Sequence, residues 1–316
     1  MKSPQHIYIS ALGLYAPEKI LTNDNLAEFV DTSDEWIRSH TGIGERHIAA
    51  ENEQCSDLAV KAAKYLFEKN NLSMDGIDGI VVATATPDYY GFPSTACIIA
   101  EKLGLKGPAA FDIGAGCTGF IYALEVARAM IKSGSMTRAL VFGSEKLSAV
   151  VNWKDRNTCV LFGDGAGCAL LEATDEEKGI LDSTLHAEGS GSLSLVIENG
   201  GHAIAMEGRA VYAFAVRAIG DTIVELLKRN DLTIGDIDWI VPHQANKRII
   251  AACSKRYNFD PSLFYMNIER YANTSAASIP IALSEMEDAG LLKAGQKILF
   301  VGFGAGLTYG GTLIQW

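Results

Sequence analysis

The chain has no CxxC pair. Its six cysteines (55, 97, 117, 159, 168 and 253) form no cluster with histidines at zinc-ligand spacing. A bound metal is therefore not expected, and reduced thiols in a cytoplasmic protein are. Basic charge is also short: 27 Lys and Arg against 38 Asp and Glu leave a net charge of −11. That balance argues against general nucleic-acid or acidic-membrane binding, which need an excess of basic surface. A local basic patch remains compatible with it. No apolar run is long enough to span a bilayer. Low-complexity segments and long Gly/Ser/Pro linkers are absent. The opening stretch, MKSPQHIYISALGLYAPEK, has an apolar run broken by Ser10, Gly13 and Pro17. It reads as a strand and a turn, not as a signal peptide.

What remains is a chain of 316 residues, 48% hydrophobic, enough to bury a large core as one domain or two halves. Strand-like runs (VFGS, ILFVGF) alternate with helical ones (DLAVKAAKYLFEKN, AVYAFAVRAIGDTIVELLKRN). That alternation predicts an α/β architecture with mostly covered sheets. A long-period duplication runs through it. DGIDGIVVA from Asp75 and GDIDWIVPH from Gly235 each follow an amphipathic helix. About forty residues later each is followed by a small-residue turn and a helix, GAGCTGFIYALEVARAMIKSG or ANTSAASIPIALSEMEDAG. Strands RALVFGS and QKILFVGFG come next. Two similar halves, 1–173 and 174–316, would then place Cys117 and the Asn273 region at equivalent turns.

Three polar positions stand out. Cys117 lies in FDIGAGCTGF, where the short run PAAFDI, read as a buried strand, gives way to a helix. A cysteine in the first turn of a helix feels the positive end of the macrodipole and unpaired backbone N–H groups. Both favour the thiolate, the nucleophilic form. The small residues at 114–116 permit a sharp turn and close approach of a substrate. His243 follows a strand in IVPHQANKRII, and Asn273 sits in ERYANTSAASIP. Taken singly, each suits an ordinary structural histidine or turn asparagine. Asp164 in LFGDGAGCALL reads as a structural group that satisfies backbone donors in a turn.

From LTNDNLAEFVDTSDEW to FGAGLTYG the chain resembles the β-ketoacyl-acyl-carrier-protein synthase III family, the initiating condensing enzymes of bacterial fatty-acid synthesis. DTSDEWI, TGIGERHIA, the Cys117 elbow, LFGDGAG, VPHQAN, ANTSAAS and FGAGLTYG carry the resemblance. It implies a thiolase-like α/β fold, with two duplicated halves in a five-layer αβαβα arrangement, and a homodimer. It also implies a triad of Cys117, His243 and Asn273. The thiolate would take an acyl group from an acyl-CoA, acetyl by default. Malonyl carried on acyl carrier protein would then lose CO₂, and His243 and Asn273 would hold the enolate oxygen. The backbone N–H groups of Cys117 and Ala305 would form the oxyanion hole. No cofactor is implied, since CoA and phosphopantetheine thioesters are substrates.

The resemblance assigns Trp36, Arg156 and Asn246 to CoA binding. His40 and Gly44 stand where many relatives carry arginine, so phosphate contacts are expected to be weaker or rerouted, through Arg38. Phe92, Phe162 and Leu195 would close the primer pocket, Phe92 from across the dimer interface. Arg248, Lys255 and Arg256 would dock the acidic carrier, on a helix where Arg248 and Lys255 share a face. Rival readings share part of this pattern. One is another Cys-His-Asn condensing enzyme, such as a polyketide starter synthase or an alkylquinolone-pathway enzyme. Another is a thioester or amide hydrolase, in which Asn would orient His as general base. A third is a catalytically idle binding partner of the same fold. Product analysis with malonyl-carrier or malonyl-CoA separates the first; the filled triad and FGAGLTYG disfavour the others.

Overall fold

The runs GIVVA (Gly79–Ala83) and RALVFGSE (Arg138–Glu145) offer apolar side chains to both faces of a sheet, and both are interior strands. They belong to a computed structural model that describes residues 6–197 and 203–316. Their five-stranded sheet has the order His6–Tyr15, Gly165–Thr174, Arg138–Glu145, Gly79–Ala83, Ala109–Ile113. Gly79–Ala83 is parallel to both neighbours, and the remaining pairs are antiparallel. The second sheet has the order Gly179–Ala187, Thr308–Gln315, Lys297–Gly304, Trp239–Pro242. Its last pair is again parallel and the rest antiparallel. Where the first sheet has Ala109–Ile113, the second has one parallel bridge from Ile240 to Phe264. The topology is repeated, with one strand worn down to a single contact.

Alternation along the strands sorts side chains into layers. Val81, Ala83 and Val141 of the first sheet and Ile298 and Phe300 of the second point at one another. Between them lie the helices Gly119–Ser133 and Ser278–Asp288. Ile80, Val82, Leu140 and Phe142 turn outward against Cys55–Asn70 and Thr95–Lys102. Ile240, Leu299 and Val301 turn outward against Gly208–Arg229 and Lys247–Tyr257. The result is the expected five-layer stack. Phe120, Phe142 and Phe300 are completely enclosed, and truncating any of them to alanine would cost about 3–5 kcal/mol.

Both central helices are reached through the same turn. The 3₁₀ segment Gly116–Thr118 runs into Gly119–Ser133, and Ser275–Ala277 runs into Ser278–Asp288. Each opens on a left-handed residue, Gly116 at φ +53° and Ser275 at φ +48°. Glycine adopts that conformation freely, whereas serine is strained in it. One expectation needs correcting. Ala109–Ile113 is not a buried strand but the outer strand of its sheet, paired on one side and half-buried.

Candidate active site

Two glycines let the two halves touch at Cys117. A Cβ on Gly304 would stand 2.5 Å from the Cys117 nitrogen, and one on Gly116 would stand 2.8 Å from the Ala305 nitrogen. Either substitution would force the backbones apart. The contact is pinned by hydroxyls: Thr308 donates to the Ala115 carbonyl at 2.8 Å, and Thr118 donates to the Thr308 carbonyl at 3.1 Å. The backbone nitrogens of Cys117 and Ala305 thereby each lie against a glycine of the opposite half. The thiol itself is buried. Burial pushes it up to about 12; the neighbouring Ser275 hydroxyl opposes that rise and the Glu145 charge adds to it. The resting group is a thiol. Its position at a helix start, which predicted a thiolate, is outweighed by desolvation.

His243 directly follows the strand Trp239–Pro242 and is 1% exposed. Burial alone pulls it down to about 3, so the ring is neutral at physiological pH. Its Nδ1 lies 2.7 Å from the Ser278 hydroxyl, which accepts from the Gln244 N–H at 3.4 Å. In the tautomer in which Ser278 donates to Nδ1, the proton of the neutral ring sits on Nε2. Phe303 meets the ring edge-on, with centroids 5.3 Å apart. Asn273 Oδ1 accepts from the Ser275 N–H at 2.8 Å, which leaves its amide nitrogen as the free donor. Two neutral donors are therefore fixed by their own acceptor atoms.

Cys117, His243 and Asn273 line one cavity of about 250 Å³. At its outer end stand Trp36, His40, Asn246 and Arg248. Behind the thiol a second space of about 50 Å³ is lined by Leu147, Phe162, Leu195, Ile204, Ser275 and Ala305 among others. The thiol opens on both, a passage on one side and an apolar recess on the other.

Residues 111–189 match the family described as 3-oxoacyl-[acyl-carrier-protein (ACP)] synthase III, and residues 227–316 match its C-terminal counterpart. A β-ketoacyl-[acyl-carrier-protein] synthase III of Caldanaerobacter subterraneus is 48% identical over 98% of this chain and 97% of its own. One from Clostridium novyi is 47% identical over 98% and 99%. The chain belongs to the β-ketoacyl-acyl-carrier-protein synthase III family. A crystal structure of the Aquifex aeolicus synthase III is 45% identical and superposes with a TM-score of 0.94, covering 98% of this chain and all of that one. As a member of that family, the protein is a condensing acyltransferase that initiates fatty-acid synthesis.

The residues that the synthase III pattern nominated do not all reach the cavities. Trp36, Asn246, Phe162 and Leu195 line the cavities. Asn246 caps the helix Lys247–Tyr257 and donates to the His40 carbonyl at 3.1 Å, tying that helix to the one carrying Trp36. Arg156 packs over the Trp36 ring at 4.8 Å, and His40 stacks on the same ring at 4.4 Å. Arg38 is diverted. Its guanidinium pairs with Asp34 at 2.9 Å and Glu269 at 2.6 Å, lies against Gly44, and lines neither cavity. A phosphate contact at Arg38 would therefore compete with those two carboxylates. Phe92 is 91% exposed and lines neither cavity of its own chain. Arg248, Lys255 and Arg256 are all exposed on the helix Lys247–Tyr257, with Arg248 at the cavity mouth. Asp164 accepts from the backbone N–H of Ala49 and Ser148, both at 2.8 Å, as a structural group should. Sequence reasoning missed Ser275, Ser278 and Glu145. The two serines lie within ANTSAAS, and Glu145 is the one acid of the strand RALVFGSE.

Proposed function

We propose that the protein joins an acyl-CoA primer, acetyl-CoA by default, to malonyl-acyl carrier protein, giving a 3-oxoacyl-carrier and CO₂. What supports this reading above all is a buried thiol between a passage and an apolar recess, facing two neutral donors rather than a charged base. Cys117 attacks the thioester carbonyl and keeps the acyl group, which occupies the recess between Phe162 and Leu195. The Cys117 and Ala305 N–H groups stabilise the tetrahedral oxygen. Malonyl-carrier then enters the same passage. Loss of CO₂ places negative charge on the thioester oxygen, and Nε2–H of His243 with the amide of Asn273 binds it. The enolate carbon attacks the acyl carbon, and Cys117 leaves.

In this reading Trp36, Arg156 and Asn246 hold CoA at the outer end of the passage. Arg248, Lys255 and Arg256 meet the acidic carrier. The protein acts as a cytoplasmic homodimer of two-half chains (1–173 and 174–316), with no metal or cofactor and no nucleic-acid or membrane partner. A hydrolase would need His243 as a proton acceptor, and a base pulled down to about 3 by burial is a poor one. Near-full-length identity to synthases III favours fatty-acid initiation over a polyketide starter or alkylquinolone role. The test is intact-mass analysis of the protein mixed with acetyl-CoA and longer acyl-CoAs. One acyl group should appear on the Cys117 peptide and vanish in Cys117→Ala. Acylation of Cys55, Cys97 or Cys253 would sink the assignment.

A further inference from the structure

Glu145 ends the strand Arg138–Glu145 and is completely enclosed. Among the described residues no cation pairs with it. Lys146, next in the chain, turns its ammonium to the carbonyls of Ala50, Glu51 and Glu53. Oε2 accepts from the Thr84 hydroxyl at 3.2 Å, the Ala85 N–H at 3.0 Å and the Thr86 hydroxyl at 2.8 Å. Oε1 completes no hydrogen bond. The carboxyl's other polar neighbours are the Ser275 hydroxyl and the Ala276 N–H, and the same Ser275 hydroxyl is the polar neighbour of the Cys117 thiol. Ser275 reaches that place in a left-handed conformation, φ +48°, that serine rarely adopts. Cys117, Ser275 and Ala85 all line the recess behind the thiol. The other titratable neighbour is Cys55, whose thiol lies against the Ser144 carbonyl at 3.1 Å, with Asp88 beyond it on Ser56. The Ser275 hydroxyl thus neighbours both the carboxyl with an idle oxygen and the thiol, and shares the recess with the latter.

We propose that Glu145 accepts the Cys117 proton through the Ser275 hydroxyl when the thiol becomes a nucleophile. The thiol proton moves to Ser275 Oγ as the Ser275 proton moves to Glu145, and sulfur keeps the bonding pair. Burial raises the Glu145 carboxyl and the donors on Oε2 oppose that rise; with the carboxyl ionised, the site holds one negative charge before and after the transfer, passed from carboxylate to sulfur. Release of the proton to solvent would instead leave two negative charges in one poorly solvated pocket. Sulfur then forms its bond to the acyl carbon, the bond to CoA breaks, and the proton returns by the same route to the departing CoA sulfur. This rests on Cys117 being the acylated residue, so the test uses a reagent that involves neither CoA nor carrier.

The rate of carbamidomethylation of Cys117 by iodoacetamide is followed by peptide mass as pH is varied. With an internal acceptor, the thiolate fraction is set inside the site, and the wild-type rate stays nearly flat across the neutral range. In Glu145→Gln the three donors keep an amide oxygen but the acceptor is gone. Its rate should be at least about tenfold lower at neutral pH and climb about tenfold per pH unit, as for a thiol that must ionise to solvent. Ser275→Gly, whose φ suits glycine, should show the same profile and guards against misfolding of the first variant. A Glu145→Gln protein that alkylates faster than wild type would mean that Glu145 merely repels the thiolate. That result, or a wild-type rate already climbing tenfold per unit, overturns the proposal. Loss of acyl-CoA reactivity with these profiles intact would count against the primer reading alone.

Discussion

His243 is enclosed so fully that its ring stays uncharged far below neutrality, and two consequences are measurable. Condensation should show no inflection near the free-histidine value of about 6.5. Stability should: the unfolded histidine takes up a proton below about 6.5, whereas the folded one does so only near 3. The native state therefore loses about 1.4 kcal/mol per pH unit on this account as pH falls through that window. Urea unfolding of His243→Asn and wild type in parallel should show the variant gaining on wild type as the solution is acidified. A constant difference would mean that the ring is protonated in the fold. His243→Ala or Asn273→Ala should lower malonyl decarboxylation by roughly 10²–10³, the usual worth of a donor at an oxyanion. Self-acylation should largely survive, because neither side chain carries the thiol proton. Ser278→Ala frees the imidazole to choose its tautomer, so decarboxylation should fall while the acyl-enzyme still forms. Equal loss of both steps in that variant would show that Ser278 supports the fold rather than the ring.

The helix Lys247–Tyr257 presents Lys247, Arg248, Lys255 and Arg256 to solvent on an otherwise acidic chain. Arg248 stands at the cavity mouth and Lys255 does not. Lys255→Glu should therefore raise KM for malonyl-carrier and leave acylation by acetyl-CoA unchanged, whereas Arg248→Glu should disturb both. Added salt should weaken carrier docking to the unmodified protein. If Lys255→Glu slowed both substrates alike, the helix would be serving CoA or stability instead. Elements such as this one were legible because their apolar spacing and caps are local: Asn246 and Gly134 mark helix ends wherever the rest of the chain lies. The repeat was legible for the same reason, since GIVVA and WIVP each precede a turn and a helix at matching distance. Arg38 shows where locality ends. Its diversion needs Glu269, 231 positions away, which no local pattern brings to it. Ser275 and Glu145 were hidden likewise. A serine in a turn and an acid at a strand end are commonplace until the fold sets the serine beside the Cys117 sulfur and the acid near the serine.

At the scale of the whole molecule, the open edge of Ala109–Ile113 and the exposed rings of Tyr89, Tyr90 and Phe92 agree with the proposed homodimer. If Phe92 closes the recess of the partner subunit, selectivity for primer length should follow the neighbour's genotype. Chains carrying Phe92→Ala with a native thiol, mixed with Cys117→Ala chains that keep Phe92, should choose primers as the wild type does. Selection like that of the Phe92→Ala homodimer would place the closing residue elsewhere. A different constraint arises where Gly116 meets Ala305 and Gly304 meets Cys117. Each half of the chain has ceded side-chain volume to the backbone of the other at the point of reaction. Neither half can then drift alone: a library randomised at 116 and 304 should return glycine at both. A chimera assembled from distant halves should fail first at this seam, however well its two sheets fold.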